Sequence, residues 1–165
     1  QGSRIGAAIV QSEKVISAAI ALARRYDPEV MAEKYIDGPE YTVPLIRDEP
    51  LPVVRIDTDR EFYDYAAKYN SQTTRYVCPS GLSESEIDEI SSIAYESYRA
   101  IGCAGWGRVD FIRDCDGNFQ LIELNTVPGM TSHSLVPKSA RTAGIDFDQL
   151  VTEILWHGLG KRGSM

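Results

Sequence analysis

The sequence predicts an α+β fold in which helices pack on one side of an antiparallel sheet. Two runs of alternating apolar residues, 108–113 and 119–124, flank Asp116-Gly117. An Asp-Gly pair in that setting is a strong hairpin signal, because both turn residues must accept φ > 0. Upstream, Ser83 and Glu86 form a capping box ahead of apolar residues at helical spacing: Ile87, Ile90, Ile93, Ala94, Tyr98 and Ile101. Two earlier runs, 40–46 and 51–56, read as further strands.

Taken in order, the chain opens on Gly2-Ser3-Arg4-Ile5-Gly6. This stretch is small and rich in backbone donors, which suits it to lie over phosphates, although an ordinary turn has the same composition. A helix is predicted over 13–26, with Ser12 as N-cap and Val15, Ile16, Ala19, Leu22 and Ala23 on its apolar face. Asp27-Pro28 stops it. Residues 30–36 read as a strand closed by Asp37-Gly38-Pro39. Glu33 and Lys34 within that strand fit either an edge strand with one wet face or a hinge strand that bonds a base or sugar. Residues 57–79 hold Tyr63, Tyr65, Tyr69 and Tyr76 and lose regular pattern after Ala67. A long irregular segment in a compact domain is usually functional or disordered. A lid closing Lys68 and Tyr69 over a ligand is the preferred reading, a surface loop with packed aromatics the alternative. The long helix beginning at Ser83 ends at Gly102 and is expected to pack beneath the hairpin. After the hairpin, Pro128-Gly129 breaks the strand. Ser134 caps a short helix to Ala143, closed by Gly144. Asp146 caps the last helix, with Phe147, Leu150, Val151, Ile154 and Leu155 expected inward.

Composition narrows the function. With 165 residues, 43% of them hydrophobic, the chain can build one domain or two small lobes. Its net charge is −7 and no basic run exceeds Arg24-Arg25 or Lys161-Arg162, which argues against a nucleic-acid partner. No apolar run approaches the roughly 18 residues of a membrane span. Three cysteines without a C-x-x-C pair suit a reducing cytoplasm better than a disulfide framework or a zinc site.

The hairpin carries the chemistry. A two-residue loop at Asp116-Gly117 would set Cys115 opposite Asn118, Asp110 opposite Glu123 and Arg108 opposite Asn125, with the last two pairs on one side of the ribbon. A three-residue loop would shift the register and spoil that facing. Facing carboxylates repel, and oxygen-only ligands suit a hard cation such as Mg²⁺, with room left for substrate phosphates. A merely solvated acidic face is the alternative. The metal reading is preferred because the acids sit among apolar neighbours, with Arg108 and Asn125 alongside.

The blocks EKYIDGPEYTV, FYDYAAKY, GWGRVDF and LIELNTVPGMTSHSLVPKSA, in that order, resemble the D-alanine–D-alanine ligase family of the ATP-grasp superfamily, from Gln1 to about Trp156. The resemblance implies that Asp110, Glu123 and Asn125 hold two Mg²⁺ ions (Mn²⁺ in their place) on the ATP phosphates, with Glu123 touching both. It gives Arg108 and the Gly129 backbone N–H the charge on the reacting oxygens. Adenine falls to Glu33, Lys34, Tyr35 and Ile36, the ribose hydroxyls to Glu40 and the phosphates to Lys68. Tyr69 closes on the substrate site with Ser3. Ser134 and Leu135 receive the second D-alanine. The implied partners are D-alanine and ATP, in a cytoplasmic homodimer serving peptidoglycan synthesis. Tyr69, rather than phenylalanine, matches the dipeptide makers of the family.

Gln1 and Arg4 depart from the family, which commonly has an acid and a small residue there. The family also carries an N-terminal domain and half of a central domain before this point. The expected organisation is therefore 1–40 as the remainder of the central subdomain, 41–160 as the C-terminal subdomain with its lid at 57–79, and 161–165 as a tail. Such a portion is expected to fold and to bind nucleotide weakly without turning over alone. Another ATP-grasp ligase and a non-catalytic nucleotide-binding module are the alternatives. His133 is expected to cap or pack, His157 to be exposed, Trp106 to lie in the core, and the cysteines to pack or sit in turns.

Overall fold

The computed structural model describes residues 6–57 and 74–159. They fall into two compact units, the first holding 6–36 and the second 37–57 with 74–159. Among these residues no helix is long and apolar enough to cross a membrane.

In the first unit a 3₁₀ turn, Glu13–Val15, leads into helix α1, Ile16–Ala23, which is shorter than the 13–26 expected. Ser12 has the extended backbone of an N-cap, but its side chain bonds no helix N–H. Val15 and Ile16 are exposed and no residue of α1 is buried, so the apolar periodicity here marks a face without making a core. The strand expected at 30–36 is absent. Extended sequence becomes a strand only when its N–H and C=O groups find a ladder, and among the described residues this segment finds none.

The second unit is an antiparallel sheet. Its strands are β1 Glu40–Ile46, β2 Glu49–Pro50, β3 Val54–Asp57, β4 Arg75–Val77, β5 Trp106–Arg113 and β6 Phe119–Asn125. The order is β4-β3-β1-β5-β6, with β2 paired to β1 through a two-residue turn. Arg47 and Asp48 both adopt positive φ in that turn, and neither residue type advertised it in the sequence. The strand expected at 51–56 starts at Val54, and β4 lies inside the stretch expected to be irregular. Helix α2, Glu84–Ala100, has the predicted Ser83/Glu86 capping box. It packs on β1, β5 and β6, as expected for a helix beneath the hairpin. Ile90, Ala94 and Tyr98 bury against Tyr41, Val43, Leu45, Val109, Phe111 and Phe119, while Ile101 stays exposed beyond the last turn. Tyr41 and Phe119 meet edge to face, ring centres 5.6 Å apart.

A second core forms at one end of the sheet, where Ile46 and Leu51 meet Val136, Ala140 and Leu150. The latter three come from α3, Leu135–Thr142, and α4, Phe147–Gly158. Asp146 and Gln149 cap α4 reciprocally. Leu150 and Ile154 are the inward stripe of α4; Phe147, Val151 and Leu155, expected inward, are exposed because the contact is only one ridge wide. Trp106 packs on this core from a half-buried position, and His157 is half-buried rather than exposed.

Glu86 ties α2 to the hairpin. Its carboxylate accepts bonds from the Ser83 hydroxyl and backbone N–H and pairs with Arg113, whose Nε reaches the Gly117 carbonyl at 3.1 Å. The Ser83 bonds, and then Arg113, hold Glu86 below the usual carboxylate range. A lowered native pKa contributes stability that is complete above the unfolded value and lost as pH falls through the folded one. Thermal unfolding should therefore be insensitive to this group from pH 7 to about 5 and worsen below about pH 4. In Glu86→Gln the melting temperature at pH 7 should drop and the acid-side slope should flatten.

Candidate functional site

Residues 106–110 of β5 alternate between the two faces of the sheet. Gly107 and Val109 turn toward α2, while Arg108 and Asp110 lie on the opposite face with their β1 partners Pro44 and Thr42. Ile46 and Trp106 share that face, so one end of it is covered by the α3–α4 core while the other carries the polar cluster.

The hairpin reaches the expected facing by an unexpected route. Asp114 N–H bonds the Asn118 carbonyl at 3.0 Å, and Gly117 alone of the turn residues takes positive φ, +90°. The loop thus has three residues, Cys115-Asp116-Gly117, instead of the two expected. Asp114 builds it: its Oδ1 accepts from the N–H groups of Asp116 and Asn118 at 3.0 and 2.8 Å, and its Oδ2 from Gln120 at 2.9 Å. Led by the Gln120 bond, these hold the Asp114 carboxyl below its usual range. The loop sets Arg113 opposite Phe119 and Phe111 opposite Leu121, one residue off the expected register. A β-bulge then inserts Ile122, and beyond it Asp110 faces Glu123 and Arg108 faces Asn125. The two departures cancel.

Asp110 is the centre of the cluster. Arg108 grips it with two parallel bonds, Nε to Oδ1 at 2.8 Å and Nη2 to Oδ2 at 2.7 Å. The Thr42 hydroxyl reaches Oδ1 at 2.5 Å, and Asn125 Nδ2 donates to Oδ2 at 2.9 Å. The same Asn125 nitrogen is 3.3 Å from Glu123 Oε1, so the two carboxylates converge closely enough for one amide to bond both. Burial disfavours the charge on Arg108, but the bonds to Asp110 and the charges of Asp110 and Glu123 outweigh it and raise its pKa. The arginine is a fixed cation. Thr42 was missed by sequence reasoning; the signal was a small hydroxyl side chain between Tyr41 and Val43, in the strand that pairs with the one bearing the key acid.

Other expected residues are less assembled. Glu40 starts β1 on the face of Thr42, two residues along. Gly129 lies beside Ser134, whose Oγ would be 3.0 Å from a Cβ placed there. Ser134 has N-cap backbone geometry at α3, yet its Oγ bonds the Thr131 N–H and hydroxyl at 3.0 and 2.9 Å, so it braces the preceding loop in place of capping the helix. Leu135 opens α3, and His133 is exposed. Glu33, Lys34, Tyr35 and Ile36 belong to the first unit and form no strand. Ser3, Lys68 and Tyr69 lie outside the described residues, as does most of the lid expected at 57–79.

The donor chemistry suits a hard cation: two converging carboxylates and an amide, with neither thiol nor imidazole among them. Among the described residues no three His, Cys, Asp or Glu side chains gather into a metal-binding group, so any ion here would lean on Asn125 as well as on the two carboxylates.

The described residues thus form an antiparallel α+β domain that presents an arginine-clamped carboxylate face. Comparison makes that particular: the family model for the D-ala D-ala ligase C-terminus matches residues 1–156, and the chain belongs to that family. It is 53% identical over 155 residues to a D-alanine–D-alanine ligase of Alkalilimnicola ehrlichii, which covers 94% of this chain and 50% of that protein. Among solved structures it resembles the Bacillus anthracis D-alanine–D-alanine ligase complexed with ATP, at 34% identity and TM-score 0.75, over 92% of this chain and 49% of that one. It also resembles the VanG D-Ala:D-Ser ligase of Enterococcus faecalis, at 32% identity and TM-score 0.79, over 93% and 46%. The chain spans about half the length of the curated relatives it matches.

Proposed function

We propose that this chain supplies the metal- and phosphate-handling portion of an ATP-dependent D-alanine–D-alanine ligase. The observation that carries the reading is the convergence of Asp110, Glu123 and Asn125 beside a fixed Arg108. The family match supports the choice of reaction.

Asp110, Glu123 and Asn125 would hold Mg²⁺, which when bound neutralises phosphate charge and orients the reacting phosphoryl group. In the first step a carboxylate oxygen of one D-alanine bonds the γ-phosphorus of ATP and the bond to ADP breaks, giving an acyl phosphate. Arg108, always protonated and held by Asp110, offers its charge to the oxygens on which negative charge collects. In the second step the neutral amine of the other D-alanine attacks the acyl carbon. The acyl C–O bond to phosphate then breaks, and the amine's proton ends on the departing group, which leaves as inorganic phosphate. The Gly129 N–H is assigned to the oxyanion of that step, and Ser134 and Leu135 to the second D-alanine. From the family resemblance, Glu33, Lys34, Tyr35 and Ile36 are assigned to adenine, Glu40 to the ribose and Lys68 to the phosphates. Tyr69 and Ser3 are assigned to closure, which would keep water from the acyl phosphate.

The test is a ligation assay on this chain extended upstream to the length of its relatives. ATP and D-alanine should yield ADP, phosphate and D-alanyl-D-alanine in equal amounts, while the 165-residue chain alone should release no phosphate. Product formed only with D-serine or another amine as acceptor would move the enzyme to a different ligase of the same class. Phosphate release by the short chain at the rate of the extended one would contradict the division of labour proposed.

A further inference from the structure

We propose that Thr42 is a positioning residue for Asp110, fixing the carboxylate in the orientation that meets Glu123 and Asn125; the inference rests on the metal–phosphate reading above. Thr42 is completely buried in β1, between Tyr41 and Val43, which are buried in the core under α2. A buried hydroxyl is retained at a cost unless it is well bonded, and valine would fill the same strand position without that cost. The Thr42 hydroxyl has one proton. Two acceptors are near it, the Val109 carbonyl at 3.3 Å and Asp110 Oδ1 at 2.5 Å. The shorter contact to the charged acceptor takes the proton. Were the hydroxyl only meeting its own need, the carbonyl of the neighbouring strand would suffice.

Its place in the fold explains why this bond can orient the acid. Thr42 and Asp110 are cross-strand partners on β1 and β5, so the ladder fixes their separation. Threonine is branched at Cβ and stiff about χ1. The other groups on Asp110 are Arg108, partly exposed, and Asn125, which is shared with Glu123. Thr42 alone of the three has no exposed surface. Partners that orient a ligand-bearing side chain typically change metal affinity 10–100-fold when removed.

The probe is Mn²⁺·ATP titrated into the full chain, followed by the Mn²⁺ electron paramagnetic signal, with circular dichroism as the folding control. Thr42→Val should weaken binding about tenfold with an unchanged spectrum, and Thr42→Ser, which keeps the hydroxyl, should bind within about twofold of the parent. Equal binding by Thr42→Val overturns the inference, as does equal weakening by Thr42→Ser, which would trace the effect to packing of the methyl group. If the parent chain itself does not bind Mn²⁺·ATP, the metal–phosphate reading falls and this inference with it; if the parent binds and Thr42→Val binds equally, only the inference fails. Should Thr42→Val not fold, the parent still decides. A slowly exchanging Thr42 hydroxyl proton with an NMR cross-peak to the Asp110 side chain is the expected result, and a rapidly exchanging one without it overturns the proposal.

Discussion

Asp110→Ala should abolish metal-dependent nucleotide binding by this chain and lower its stability by about 1–3 kcal/mol. The carboxylate takes four bonds, two from Arg108 and one each from Thr42 and Asn125, so its removal undoes the cluster and not merely one ligand. Arg108 is left partly buried and unpaired, and the loss of a partner from such a pair costs more than the pair itself contributes. Thr42 must fall back on the more distant Val109 carbonyl. The remaining Glu123 and Asn125 offer a hard cation one carboxylate where the intact cluster offers two, the least that such a site supplies alongside phosphates. Calorimetry with Mg²⁺·ATP and urea denaturation measure the two effects separately. Full binding by Asp110→Ala would remove this residue from the site, and loss of binding with unchanged stability would mean the Arg108 pair contributes nothing to the fold.

Gly38→Ala should destabilise the second unit by about 3 kcal/mol. A Cβ on Gly38 would stand far inside contact distance of the Arg113 carbonyl oxygen. That oxygen belongs to the backbone of β5, which is paired on both sides and cannot swing away as a side chain could. The chain is pinned at the same place by the Arg113 N–H bond to the Pro39 carbonyl at 3.0 Å. Glycine is needed here for close approach, immediately before β1. Gly158→Ala is the control, since a Cβ there meets nothing within 4 Å; it should be neutral or slightly stabilising at the end of α4. Denaturation midpoints of the two variants check the contrast, and equal midpoints would contradict the close approach.

The hairpin shows how sequence reasoning can reach the right facing through a wrong turn. Asp116-Gly117 located the loop, but the choice between two and three residues depended on Asp114, whose side chain bonds Asp116, Asn118 and Gln120 across the loop, a pattern that the residue types do not announce. The bulge at Ile122 was illegible for the same reason: an extra residue in an apolar run leaves no mark on composition. The capping box at Ser83 and the N-cap at Asp146 were legible because they are local, complete within four residues. Positions 30–36 have strand-like composition, yet a strand needs a partner that local pattern cannot supply. The exposure of Phe147, Val151 and Leu155 likewise depends on how wide a ridge of α4 meets the sheet, which periodicity leaves open. At the site, the charged residues announced themselves by type, whereas Thr42 became visible only once β1 and β5 were placed side by side.

The most direct test of the central claim is the location of Mn²⁺·ATP on the full chain by paramagnetic broadening of NMR signals. Broadening falls off steeply with distance from the ion, so it maps the site without relying on turnover. Broadening should concentrate at the backbone N–H groups of 108–110 and 123–125 and at the Asn125 side-chain amide, and it should vanish in Asp110→Ala. Broadening centred elsewhere, or a pattern at these positions that persists in Asp110→Ala, would contradict the assignment of Asp110, Glu123 and Asn125 to the metal.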